Sequence, residues 1–205
     1  MGELKTVYMG QASLRFVTPE NKVIYVDPYC GNNYDLAADL ILITHGHFDH
    51  CNLDKIEKRN NGCVIITHKE ALVNGEHKTF EFDFVKAEAV EAGNNRNHSV
   101  KECVGYLLTF SNGITVYVSG DTSRTNQMQE LSGRDIDYAF YCTDGIYNMG
   151  LKEAAECAAL VGAKHNIPYH NSPGPSRNHF SLKAAQKFKA PNLMIIEPGT
   201  EVEFK

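Results

Sequence analysis

Leu40-Ile41-Leu42-Ile43-Thr44-His45-Gly46-His47-Phe48-Asp49-His50 joins an apolar run to a cluster of metal-ligating side chains. Four apolar residues without alternation, bounded by Asp39 and Thr44, have the pattern of a strand buried on both faces. Three imidazoles and a carboxylate follow at once, so the cluster is placed at the end of that strand. In extended chain, residues two apart project to the same side, which lets His45 and His47 grip one ion. Asp49 and His50 fall where the chain begins to turn into a helix and are expected to point elsewhere. Such an arrangement suits two adjacent ions better than one.

Upstream of this stretch the chain reads as β. Thr6-Val7-Tyr8-Met9, Ser13-Leu14-Arg15-Phe16-Val17 and Val23-Ile24-Tyr25-Val26 are short runs rich in β-branched and aromatic residues, with a turn at Pro19-Glu20-Asn21. Asp27-Pro28 ends the third run. Downstream, Leu53, Ile56 and Glu57 predict a short amphipathic helix that stops near Asn60-Asn61-Gly62, before a strand at Cys63-Val64-Ile65-Ile66. A helical turn is expected over 69–73, and the alternation Phe80-Glu81-Phe82-Asp83-Phe84 predicts one half-buried antiparallel strand within 79–90. Residues 92–99 read as a loop that carries His98.

Val104-Gly105-Tyr106-Leu107-Leu108-Thr109-Phe110 and Ile114-Thr115-Val116-Tyr117-Val118 form a hairpin through Ser111-Asn112-Gly113, and the second strand delivers Asp121 at its end. Beyond it come a short helix over 125–131, a strand Tyr138-Ala139-Phe140-Tyr141-Cys142, and a helix over 151–161 stopped by Gly162. A strand running to Ile167-Pro168-Tyr169-His170 follows, then the loop Pro173-Gly174-Pro175. Ser181 caps a last helix with Leu182, Ala185 and Phe188 on its apolar side. The chain closes with Leu193-Met194-Ile195-Ile196, a Pro198-Gly199 turn and Val202-Glu203-Phe204. Strands interleaved with helices argue a layered α/β domain, and 205 residues suffice for a single core.

The net charge of -5 supplies no basic field for tracking a nucleic-acid backbone, so nucleic acid is not an expected partner. No apolar run approaches membrane-spanning length, and Met1-Gly2-Glu3-Leu4-Lys5 leads into strand-like sequence without the apolar core of a signal peptide. A cytoplasmic chain without a membrane partner is expected. Six cysteines without Cys-x-x-Cys spacing read as reduced thiols packed like small apolar side chains. Cys51 alone, next to His50, is close enough to the cluster to be a soft ligand or an oxidation-sensitive neighbour.

Thr-His-x-His-x-Asp-His at 44–50, the isolated His98, Gly120-Asp121-Thr122 and the late His170 come in the order of the metal motifs of the metallo-β-lactamase superfamily, which this chain resembles. Within it, the chain looks like the small single-domain hydrolases of the branch that includes the ascorbate-phosphate lactonase. The likeness there runs through Gly10-Gln11-Ala12-Ser13, Val26-Asp27-Pro28, Gly105-Tyr106 and Asn148-Met149-Gly150. It continues through Ala163-Lys164, Ile167-Pro168-Tyr169-His170 and Pro198-Gly199, nearly the whole chain.

The resemblance implies one domain over residues 1–205 with a four-layer αββα sandwich fold of mixed α/β (α+β) class, the metals lying at one edge. It implies that His45, His47 and His98 hold a first ion, that Asp49, His50 and His170 hold a second, and that Asp121 bridges them. Two divalent ions, zinc foremost with manganese or iron as alternatives, suit imidazole and carboxylate donors. His165 competes with His170, which is preferred for following Ile167-Pro168-Tyr169; His165, His68 and His77 read as structural or surface histidines. His179, Asp144 and Gln11 are candidates for substrate contact or for orienting a ligand; Asp144 reads equally as a turn former before Gly145, and Gln11 stands where the family often has histidine.

The expected chemistry is hydrolysis of a small ester, lactone or phosphodiester by a metal-activated hydroxide, with Asp49 and Asp121 as the catalytic carboxylates. Arg96, Arg124 and Arg177 lie in loops and are either phosphate contacts or solvated charges. Two other classes share the ligand set: an iron-dependent redox enzyme and a non-catalytic metal or ligand sensor. Oligomeric state is not readable from the sequence.

Overall fold

The computed structural model describes residues 2–172 and 177–205, with the side chain of Arg177 excluded. The Pro173-Gly174-Pro175 loop and the Arg177 phosphate contact expected from sequence lie outside the described residues. Two six-stranded sheets face each other. The first has the order β14-β1-β2-β3-β4-β5, from β1 (Leu4–Gly10), β2 (Ser13–Val17), β3 (Val23–Val26), β4 (Ala38–Leu42), β5 (Arg59–Ile66) and β14 (Glu201–Phe204). The second has the order β13-β12-β11-β10-β9-β8, from β8 (Thr79–Phe82), β9 (Val85–Glu91), β10 (Val104–Phe110), β11 (Thr115–Val118), β12 (Tyr138–Cys142) and β13 (His165–Tyr169). A small hairpin, β6 (Leu72–Val73) and β7 (Glu76–His77), stands apart.

Period-two alternation sorts the first sheet's side chains into two cores. Leu4, Tyr8, Leu14, Phe16, Ile24, Val26, Leu40 and Leu42 face the second sheet in the larger cluster. Val7, Met9, Tyr25, Ile41 and Ile43 face outward, where Tyr34 and Ile56 cover them. The apolar run at 40–43 is therefore buried on both faces, as its lack of alternation predicts. On the outer face of the second sheet lie α2 (Met128–Leu131) and α3 (Leu151–Val161), the latter packed on β12. Gly162, at φ 73°, caps α3 in the left-handed region that its missing Cβ permits. The short α4 (Leu182–Ala185) is capped by Ser181, whose hydroxyl accepts from Ala184 N.

Several local expectations are corrected. The helix expected before Asn60-Asn61-Gly62 is one 3-10 turn, Leu53–Lys55, and β5 begins at Arg59, running through the Asn-Asn-Gly stretch as an exposed edge strand. The single strand expected within 79–90 is the hairpin β8–β9, because the chain reverses at Asp83-Phe84 with no glycine to announce it. The helical turn at 69–73 is α1 (His68–Ala71), and Leu72-Val73 belong to a strand. Among residues 193–196, only Leu193 makes a strand-type bridge, to Asn166.

The pairs β3–β4, β4–β5, β11–β12 and β12–β13 are parallel. Parallel strands end on the same side, and the chain leaving β3, β4, β11, β12 and β13 forms one edge of the sandwich. Side chains carried past a carboxyl end in this way are where α/β sheets build sites. No helix among the described residues is long and apolar enough to cross a membrane.

Candidate metal centre

Asp27 organises the part of this edge nearest β4. It follows β3 with φ 45°, and its carboxylate is fully buried. Oδ1 accepts from Thr44 N at 2.8 Å, and Oδ2 accepts from Thr44 Oγ1 at 2.6 Å and lies 2.8 Å from His50 Nδ1. The Thr44 hydroxyl in turn lies 3.0 Å from His45 Nδ1. Their outer nitrogens occupied in this way, His45 and His50 present Nε2 to the centre. The chain then makes a tight turn, with His50 N donating to His47 O at 3.1 Å. His47 does lie beside His45, with ring centroids 4.6 Å apart, as their i, i+2 spacing predicts. The same turn corrects the expectation that His50 points away: its ring lies 4.1 Å from that of His45.

Asp121 is brought in from the other sheet. Gly120, at φ 63°, permits the approach; a Cβ there would come within 2.7 Å of Val104 O. Asp121 Oδ2 lies 3.5 Å from His50 Nε2, 3.4 Å from His98 Nε2 and 3.3 Å from His170 Nε2. One carboxylate oxygen is thus shared by imidazoles from three separate chain segments. His98 is held by Asn95, whose Oδ1 accepts from His98 N at 3.0 Å and lies 3.2 Å from Nδ1. His170 takes φ 42°; its N donates to Gln11 O at 2.8 Å, and its Nδ1 lies 3.5 Å from Asp144 Oδ2. Asp144 serves both roles open to it in the sequence. Its Oδ1 accepts from Ile146 N and Tyr147 N, forming a turn, while Oδ2 faces His170. Gln11 Nε2 lies 2.8 Å from Asp49 Oδ2 and 2.9 Å from His170 Nε2.

Among the described residues, three groups of donor atoms lie close enough together to hold an ion: His45, His47 and His98; His45, His50 and Asp121; and Asp49, His50 and His170. All seven residues expected as ligands fall within these groups. His45 Nε2, His50 Nε2 and Asp121 Oδ1 are buried without a hydrogen-bond partner. Each such group costs about 1–3 kcal/mol unless something binds it, and nitrogen and carboxylate donors are the ligands of a divalent transition metal. The residues present therefore fit a metal.

The electrostatics agree. Burial, with the neighbouring His50, holds His45 well below the usual imidazole range, so its lone pair is free to bind. Burial opposes charge on His50 but is outweighed by Asp121 and Asp27, which raise it well above that range. Burial likewise opposes charge on His170 and is outweighed by Asp121. Asp121 itself is held well below the carboxylate range, because His170 and His50 overcome the cost of its burial. The negative charge of Asp121 that raises both imidazoles is one that a divalent ion would neutralise in their place.

Other histidines lie elsewhere. His165, at the start of β13, stacks on Tyr138 with centroids 4.9 Å apart, at the opposite end of the strand from His170. His68 begins α1 and His77 lies in β7, both outside the three donor groups. Cys51 is also outside them; it packs against the outer core, and burial raises its thiol above the usual range, which disfavours thiolate ligation. Arg96 and Arg124 are exposed and do not line the site.

Beside the cluster is a cavity of about 560 Å³, which Gln11, His47, Asp49, His98, Asp121 and His170 line on the metal side. Tyr29, Phe48, Tyr147 and His179 line it as well; Tyr29 meets Phe48 edge-on at 5.9 Å and His179 at 6.1 Å. His179 therefore does reach the site. The sequence reading missed Asp27 as a functional residue, although Val26-Asp27-Pro28 places a carboxylate at a strand end just as Gly120-Asp121-Thr122 does.

A family model for the beta-lactamase superfamily domain matches residues 5–170. A UPF0173 metal-dependent hydrolase of Geobacillus thermodenitrificans is 31% identical over 84% of this chain and 87% of its own length. Another from Pyrococcus furiosus is 28% identical over 98% of this chain and 99% of its own. Among solved structures, a Parabacteroides distasonis protein bearing the name metal-dependent hydrolase superposes with a TM-score of 0.77 at 29% identity, covering 95% of this chain and 94% of the other. The ascorbate-phosphate lactonase branch is not named by these relatives, but the wider resemblance is met: this chain belongs to the beta-lactamase superfamily and, within it, to the UPF0173 family of metal-dependent hydrolases.

Proposed function

We propose that the protein is a dinuclear hydrolase that opens a small ester or lactone, with phosphodiesters as the neighbouring substrate class. The observation that carries the dinuclear reading is the position of Asp121 Oδ2, within 3.5 Å of His50 Nε2, 3.4 Å of His98 Nε2 and 3.3 Å of His170 Nε2. His45, His47 and His98 would hold one ion, Asp49, His50 and His170 the other, and Asp121 would bridge them. Zinc is the first expectation for such donors, with manganese or iron as alternatives. Bound ions supply a water whose pKa is lowered toward ~7 and a positive field for the oxygen that gains charge.

The chain's own groups do the rest. Asp49, whose side chain is 24% exposed, faces the cavity and takes the proton of the attacking water. The Gln11 amide stands 2.8 Å from the Asp49 carboxylate in the metal-free protein. Tyr29, Phe48 and Tyr147 offer aromatic surface to the apolar part of a neutral acyl substrate, which favours an ester or lactone. This reading takes residues 1–205 as one cytoplasmic domain acting on a small molecule, with neither membrane nor nucleic acid as partner.

The test is a panel of esters, lactones and phosphodiesters offered to the zinc, manganese and iron forms. Turnover of an ester or lactone is expected, lost together with bound metal in Asp49→Ala and Asp121→Ala. Full turnover by a metal-free double variant would sink the hydrolytic reading. Failure of the whole panel with fully metallated protein would revive a sensor, and an iron-coloured protein undergoing redox cycling would point to the redox class.

A further inference from the structure

Gln11 lies in the turn between β1 and β2 at φ 51°, a left-handed conformation that a non-glycine residue keeps only when its surroundings enforce it. The enforcement is visible. Its carbonyl accepts from His170 N at 2.8 Å and from the Tyr8 hydroxyl at 3.0 Å, while its N donates to Asn178 O at 3.2 Å. The residue is only 5% exposed, and its side chain is aimed into the cluster.

There Nε2 lies 2.8 Å from Asp49 Oδ2 and 2.9 Å from His170 Nε2, two donors of one prospective ion site. Neighbouring donors around an octahedral ion bound at about 2.1 Å stand about 3 Å apart. The amide thus stands at the distance a further donor would keep from Asp49 and His170 if both held one ion. Its other atom, Oε1, is buried with no hydrogen-bond partner among the described residues, so only the two Nε2 contacts set the orientation of the amide. An ion bound to Asp49 and His170 would take up the lone pairs that hold Nε2 there and release the amide to turn. A half-turn about the last side-chain torsion exchanges oxygen and nitrogen in place.

We propose that in the loaded protein Gln11 Oε1 is a direct ligand of the ion held by Asp49, His50 and His170, and that the two metal positions are therefore unequal. This rests on the dinuclear reading above. Three imidazoles with Asp121 make the His45–His47–His98 position suit tetrahedral zinc. The other position gathers three oxygens, from Asp49, Asp121 and Gln11, with two imidazoles. That harder, higher-coordinate set raises its affinity for manganese(II) or iron(II) relative to zinc.

The experiment is Mn2+ titration of chelator-stripped wild-type protein, Gln11→Gly and Gln11→Glu, with bound metal counted by elemental analysis and calorimetry, and a crystal structure of the Mn2+-loaded wild type. Glycine accepts the left-handed turn while removing the amide; glutamate keeps an oxygen donor but has no N–H. Melting of each metal-free variant checks that it is folded. Wild type should bind two ions, Gln11→Gly should lose at least about tenfold in affinity for one of them and none for the other, and Gln11→Glu should bind both no more weakly than wild type. Wild-type affinity for both ions in Gln11→Gly overturns the proposal. So does weakened binding in Gln11→Glu, the mark of a hydrogen-bond donor, or a loaded structure with the amide beyond about 3 Å from the ion. Fewer than two ions in wild type overturns the dinuclear reading itself.

Discussion

Asp27 holds its half of the centre through contacts of 2.8 Å to Thr44 N, 2.6 Å to Thr44 Oγ1 and 2.8 Å to His50 Nδ1. The half around His170 instead depends on a 3.5 Å approach by Asp144 and on the Gln11 amide. The first half is set by main chain leaving adjacent parallel strands, so its donors are in place once β3 and β4 pair. The second is assembled from Gln11, Asp144 and His170, which lie far apart in sequence. A preorganised half and an adjustable half should respond differently to perturbation.

The largest effect is expected where the halves meet. Asp121→Ala removes the oxygen common to His50, His98 and His170, and should cut turnover by about a thousandfold or more and lower bound metal, read by kinetics and elemental analysis. Next comes the rigid half. Asp27→Asn keeps the shape but places an amide N–H against donors, and should weaken metal binding by about 10–100-fold and destabilise the fold by about 2–3 kcal/mol in denaturant unfolding. Asp144→Asn should cost only about tenfold in metal affinity and less stability than Asp27→Asn, because Oδ1 still closes the turn over 145–148 and the one bond lost is that from Asn148 Nδ2 to Oδ2. A loss of stability equal to that of Asp27→Asn would erase the contrast. The smallest effect belongs to the cavity wall: Phe48→Ala, at a side chain 79% exposed, should raise KM for an apolar ester a few-fold and leave kcat and metal content unchanged.

The same contrast explains what could be read from the sequence. The buried strand at 40–43 and the β10–β11 hairpin follow from local pattern, and the histidines and carboxylates follow from residue type at strand ends. The β8–β9 reversal did not show, because Phe80, Phe82 and Phe84 keep their alternation straight through the turn. Nor did β5, whose Asn60-Asn61-Gly62 has the composition of a loop but lies on an edge where polar side chains face water. Asp27 carries no metal-motif spacing. Its role exists only after β3 and β4 are side by side, which no local window contains.

The bond from His170 N to the Gln11 carbonyl joins residues 159 positions apart. During synthesis the β1–β2 turn and the 44–50 cluster leave the ribosome long before residue 170 exists, and such distant contacts form late. A chain stalled before β13 would display His45, His47 and His98 without the partner that completes the other half. Uptake of metal by the His170 half is therefore a signal that β13 has docked, and a translation-arrested series read by metal retention would time that event.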